Sequence, residues 1–139
     1  MVASHLADTS VLARAGKPAV SARLDSMVDA GVIATCTIVE LEVLTAARSK
    51  TEYRSLADWL REGCDLVPIE QSTLDRAVEV QRALSEGARH RGVSVPDLLI
   101  AAAAERAGLI VLHYDADFER IAEVTGQPAE WVVPRGTID

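Results

Sequence analysis

Aromatic side chains are scarce in this chain. They make up 4% of its 139 residues, so a core has to be built from Leu, Val, Ile and Ala. Lysine is almost missing, with only Lys17 and Lys50 present. Long apolar runs are missing too. The longest extends from Leu98 to Ala104, well short of the roughly 20 residues that cross a bilayer. No charged segment followed by an apolar one opens the sequence, which speaks against a signal peptide. Cysteine is limited to Cys36 and Cys64, neither with a second ligand at zinc spacing. They read as buried thiols in a reducing compartment, and a cytoplasmic location is expected. Net basic charge is also lacking. A net charge of −7 and a pI near 4.9 argue against gripping nucleic acid by global charge. They do not exclude a nuclease, because bound cations would offset part of the acid.

What is present is a 49% hydrophobic chain long enough for one domain with one core, taken as residues 1–139. Short apolar runs alternate with helical patterns. Strands are expected at 4–8, 32–35, 66–69 and 109–113, with an edge strand at 131–133. Helices are expected after Thr9, over 18–30, 37–48, 51–61, 72–90, 97–107 and 115–125. Gly31, Gly63, Gly92 and Gly108 punctuate them. This alternation implies an α/β fold, a parallel sheet of four to five strands with helices on both faces.

Five acids fall where such a sheet gathers its strand ends and helix starts: Asp8, Glu40, Asp97, Asp115 and Asp117. Ligands of open parallel sheets bind at the carboxyl ends of the strands. Each acid also has an ordinary explanation. Asp8-Thr9-Ser10 supplies a helix N-cap. Thr37-Ile38-Val39-Glu40 has the form of a capping box. Asp97, after Pro96, and Asp117, after Asp115, suit the positive end of a helix. Glu42 competes with Glu40, but residues two apart do not share a helix face. Glu40 is preferred because it lies nearer the helix start. Two carboxylates about 5 Å apart repel by roughly 3 kcal/mol at an effective dielectric near 20, so a converged set calls for a cation. Carboxylates select hard ions such as Mg²⁺ or Mn²⁺, and such an ion suits chemistry on a phosphate. His113 and His90 read instead as structural hydrogen-bonding residues.

The set Asp8, Thr37-x-x-Glu40-Leu41, Pro96-Asp97-Leu98-Leu99-Ile100-Ala101-Ala102 and Asp115-Ala116-Asp117-Phe118 resembles the PIN-domain family, and within it the VapC-type toxins of toxin–antitoxin pairs. The resemblance spans nearly the whole chain. It implies a three-layer α/β/α fold and Mg²⁺-dependent endoribonuclease activity, with Mn²⁺ as a substitute. It implies an RNA substrate, a homodimer, a VapB-type antitoxin partner and no membrane association. By motif, Asp8, Glu40, Asp97 and Asp117 correspond to catalytic metal ligands. Asp115 is a further ligand, and Thr9 or Ser10 is the site hydroxyl. Arg89 and Arg91, with Arg48 and Lys50, are candidate RNA backbone contacts. Val43-Leu44-Thr45-Ala46 stand where relatives often carry a glycine, a change expected to affect helix packing. A receiver domain would need a Lys after a late strand, and a HAD-type phosphohydrolase an Asp-x-Asp after the first; neither is present. A PIN-like module that only binds RNA or protein is the alternative, and the full acid set argues against it.

Overall fold

Every strand of the central sheet runs parallel to its neighbours. A computed structural model describes residues 2–139. The strands are β1 (His5–Ala7), β2 (Ile33–Cys36), β3 (Asp65–Val67), β4 (Ile110–His113) and β5 (Ala129–Trp131), in the spatial order β3-β2-β1-β4-β5. The helices are α1 (Thr9–Leu12), α2 (Pro18–Asp29), α3 (Thr37–Thr45), α4 (Lys50–Gly63), α5 (Gln71–Glu86), α6 (Val95–Ala107) and α7 (Asp117–Thr125). A short 3₁₀ turn, His90–Gly92, precedes α6.

The two-residue period of the strands divides the core into two layers. Leu6, Ala34, Cys36, Val67 and Val111 face α3, α5, α6 and α7. Ala7, Ile33 and Leu112 face Val11, Val20 and Leu24 of α1 and α2. This gives the three-layer α/β/α architecture. α6 is the most buried helix. Its run Ile100 to Ala104 is sealed on the sheet, and alanine lets it approach closely.

Two strands depart most from the sequence-based expectation; the others shift by no more than a single residue at either end. β3 stops at Val67, because Pro68 has no N–H to continue the ladder. β5 begins two residues earlier than expected, with Ala129, Glu130 and Trp131 paired to β4 at the sheet edge. No helix among the described residues is long and apolar enough to cross a membrane.

β1 occupies the middle of the sheet. The chain leaves it first toward β2 and β3, and later returns to its other side through β4 and β5. The carboxyl end of β1 is thus the switch point of the topology, where α/β sheets open a crevice.

Candidate metal centre

Asp8 follows β1 directly at that switch point. Its backbone N–H donates to Leu112 O at 2.9 Å, which ties it to β4. Its Oδ2 caps α1 by accepting from Ser10 N–H at 2.9 Å. The capping explanation is therefore true of one oxygen. The other, Oδ1, is buried and has no hydrogen-bond partner. The side chain is only 2% exposed. Burial pushes its pKa up, against the Ser10 bond, and the nearby Glu42 adds to the rise. A buried, unsatisfied carboxylate oxygen is costly unless something cationic meets it.

Asp97 reaches the same place from α6. Ser94 is the N-cap of that helix, its Oγ accepting from Asp97 N–H at 3.3 Å. In a capping box the third residue's acid would reach back to the cap's N–H. Here Ser94 N–H donates instead to Asp117 Oδ2 at 3.4 Å. The Asp97 carboxylate is left to face the other acids. Burial raises its pKa strongly, and a hydrogen bond to Asp117 and the charges of Asp8 and Asp115 raise it further.

Asp115 and Asp117 come from the turn between β4 and α7. Asp117 N–H donates to Asp115 Oδ1 at 2.9 Å, and Arg120 donates to Asp117 Oδ1 at 2.8 Å. Asp115 N–H donates to His113 Nδ1 at 3.2 Å, so the neutral imidazole helps shape the turn. Burial among Phe118 and Trp131 lowers the His113 pKa to about 4. Asp97, Asp115 and Asp117 each present an oxygen within 4.8 Å of the others'. An all-oxygen set of this kind fits a hard divalent cation, and the orphaned Asp8 Oδ1 fits as a further donor.

The two glutamates of α3 part company. The N-cap of α3 is Cys36, so Glu40 sits one position too far along to close a capping box. Its side chain is 6% exposed and takes a hydrogen bond from Arg61 Nε of α4 at 3.0 Å. That contact engages one Glu40 oxygen with α4. Glu42 lies close enough to Asp8 for its charge to raise the Asp8 pKa, and its Oε1 accepts from Thr9 Oγ1 at 2.7 Å. Two residues along a helix turn the side chain by about 200°, and that rotation decides which glutamate looks at the site.

The remaining predicted contacts scatter. Thr9 is committed to Glu42, while Ser10 Oγ accepts from Tyr114 N–H at 2.8 Å and its side chain also acts on Asp8, opposing the rise in the Asp8 pKa. Arg89 is paired with Glu123 of α7. Arg91 is exposed in the turn before α6, beside the loop that carries Ser94. Arg48 and Lys50 line a cleft of about 460 Å³ with Tyr53 and Arg54, at the α3–α4 junction. The sequence reading missed Arg61, Arg120 and Ser94 as residues that orient the acids. For Ser94 the signal was available: Ser-Val-Pro-Asp is an N-cap followed by proline in the first turn.

A family model described as PIN domain matches residues 6–124. The chain is 48% identical to Ribonuclease VapC51 of Mycobacterium tuberculosis, over the whole length of both. It is 44% identical to Ribonuclease VapC21 of the same species, over 99% of each. A solved structure of DNA-bound VapBC from Salmonella typhimurium shares the fold, with a TM-score of 0.73 at 18% identity over 94% of this chain and 99% of that one. The matched family model and the full-length identities agree with the aspartates gathered at the switch point: the chain belongs to the PIN-domain family, among the VapC ribonucleases.

Proposed function

We propose that this protein is a metal-dependent endoribonuclease, the toxin of a VapBC-type pair, acting on RNA in the cytoplasm. The observation that carries the reading is the convergence of Asp97, Asp115 and Asp117, with Asp8 close enough for its charge to act on Asp97 and with one buried Asp8 oxygen unsatisfied. The ion is Mg²⁺, with Mn²⁺ as a substitute, because every donor is a carboxylate. When bound, such an ion activates water and neutralises charge developing on the scissile phosphate. Cleavage leaves a 3′-hydroxyl and a 5′-phosphate, with no side chain acting as nucleophile.

The chain's own residues then have separable tasks. Asp8 and Asp97 are the innermost ligands, fixed by the end of β1 and the start of α6. Asp117 is held by Arg120 and Ser94, and Asp115 by Asp117 and His113. Glu42, rather than Glu40, completes the acid set and is oriented by Thr9. Ser10, beside Asp8, offers its hydroxyl to a phosphate oxygen or water. Arg91 is the better placed of the two predicted arginines for the RNA backbone, since Arg89 is engaged with Glu123.

Two apolar surfaces suit the expected protein partners. Leu41 of α3 and Tyr53 and Trp59 of α4 are exposed, and we assign this face to a VapB-type antitoxin. Leu74 and Val78 of α5 and Val95 of α6 are exposed along one groove, which we assign to a second copy of the chain. The test is direct. Antitoxin-free protein is incubated with total RNA in Mg²⁺, in Mn²⁺ and in chelator, and the cut sites are mapped. Cleavage in either metal, absent in chelator and absent for Asp97→Asn, supports the reading. No cleavage in either metal hands the protein to the alternative of a module that only binds.

A further inference from the structure

A cleft of about 450 Å³ adjoins the acids, lined by Ser10, Arg14, Tyr114, Asp115, Trp131 and Arg135. The function above uses only its Asp115 edge. The volume lies in the range of small-molecule sites. It also holds two of the chain's few aromatic rings, each packed on the core along one side.

Both rings are held rigidly by their polar ends. The Tyr114 hydroxyl donates to Ile138 O at 2.8 Å and accepts from Gly136 N–H at 2.9 Å. Trp131 Nε1 donates to Glu119 at 2.8 Å. The rings meet edge to face, 5.3 Å apart and at 86°. With their polar atoms satisfied, what they offer is flat apolar surface. Each is already partnered by a guanidinium: Arg14 lies 5.0 Å from the Tyr114 centroid and Arg135 5.4 Å from that of Trp131.

The two arginines differ in freedom. Arg14 is fixed, donating from Nε to Asp139 O at 2.7 Å and from Nη1 to Ser10 O at 2.9 Å. Arg135 holds Glu119 only at 3.6 Å and is 64% exposed at its side chain. It is free to lift off Trp131 and close over a flat guest. Flat rings and guanidinium planes are the surfaces on which unpaired bases stack. A chain with a net charge of −7 also needs local contacts to hold a polyanion.

We propose that this cleft is a stacking subsite for an unpaired nucleobase of the RNA strand, one step along from the phosphate at Asp115. The base lies between Trp131 and Arg135, and Arg14 walls the far side. The subsite makes the substrate single-stranded at that position, because a base inside a duplex cannot enter. The proposal rests on the nuclease reading for its substrate, and its test separates the two.

The probe is a short single-stranded RNA carrying 2-aminopurine, titrated with metal-free protein. Binding should quench its fluorescence. Arg135→Ala and Trp131→Leu should each weaken binding, the tryptophan change by roughly tenfold. An abasic residue in place of the 2-aminopurine should weaken wild-type binding by a similar factor, read from a fluorescein end label, but leave Trp131→Leu binding unchanged. Should Trp131→Leu fail to fold, Arg135→Ala, altered at an exposed side chain, decides the matter through quenching. Both variants binding and quenching like the wild type, with an equal abasic penalty, overturns the subsite. Cleavage of RNA by both variants with unchanged KM does the same while leaving the nuclease standing. Quenching by wild-type protein that cuts no RNA in Mg²⁺ or Mn²⁺ does the reverse: the nuclease reading falls and the stacking site remains.

Discussion

Two groups of carboxylates in this protein are treated in opposite ways. Between α5 and α6, Arg76 grips Glu105 with two donors, at 2.7 and 3.2 Å, and Glu79 with a third at 3.1 Å. The chain supplies its own cation, and the acids are part of the packing. At the carboxyl end of β1 the chain brings Asp97, Asp115 and Asp117 together near Asp8 and supplies one arginine, Arg120, to one of them. One oxygen of Asp8 is left with nothing. Like charges in a half-buried site cost stability, so an arrangement that keeps them is explained by a cation from outside. The balanced group belongs to the fold and the unbalanced group to the chemistry.

The sharpest break of this comparison is to neutralise the unbalanced group. Asp8→Asn or Asp97→Asn should lower cleavage at least about 10³-fold, the loss expected when several kcal/mol of charge stabilisation disappears. The same variants should melt at or above the wild type in chelator, because a buried charge has been removed. Rates of RNA cleavage and melting curves in EDTA check both halves. A variant that loses activity only because it unfolds contradicts the division.

The next contrast lies within α3. Glu42→Gln should cost about 10- to 100-fold in cleavage, as for a residue that orients or completes a metal shell. Glu40→Gln should leave cleavage near wild type and instead lower stability by about 1 kcal/mol, since its partner Arg61 is largely exposed. This pair also marks the limit of what the sequence disclosed. The switch-point aspartates were legible, because strand ends and helix starts announce themselves through apolar runs, caps and proline. So was the parallel three-layer fold, through the alternation of elements. The choice between Glu40 and Glu42 was not, since it depends on how α3 is rotated against α4. In the fold Glu40 meets Arg61, 21 residues away in sequence, while Val39 of α3 is buried in the core. The end of β3 was readable only in part: Pro68 was seen as a stop, and the ladder ends one residue before it.

Metal itself should separate the two groups by a smaller, thermodynamic effect. A cation at about 100 times its dissociation constant adds roughly 2.7 kcal/mol, or some 5–10 °C in melting temperature for a domain of this size. Wild-type protein should show this with Mg²⁺ and Asp97→Asn should show little. The pH dependence has a definite sign. Asp8 and Asp97 have raised pKa values in the fold, so the native state binds more protons than the unfolded chain above the usual carboxylate range. Metal-free stability must then fall as pH rises. His113, lowered to about 4, acts in the opposite sense between about 4 and 6.5. The decline should therefore emerge above about pH 6.5. Chemical denaturation in EDTA across that range should show a slope that Asp97→Asn flattens; an unchanged slope assigns it to other groups.

The smallest effect belongs to the balanced group. Glu105→Gln removes one charge from a network that is about one-quarter exposed at Glu105 and one-third at Arg76. Solvent screens it, so the expected loss is about 0.5–1 kcal/mol, with two charge-assisted hydrogen bonds weakened and Glu79 left as a partial substitute. Cleavage and the Mg²⁺-induced rise in melting temperature should both stay at wild-type values. That combination is the mirror image of Asp97→Asn, which is expected to lose activity and metal response without losing metal-free stability. A Glu105→Gln protein with a diminished Mg²⁺ response implies that the α5–α6 network positions Asp97 through α6, and the two groups are then one coupled system.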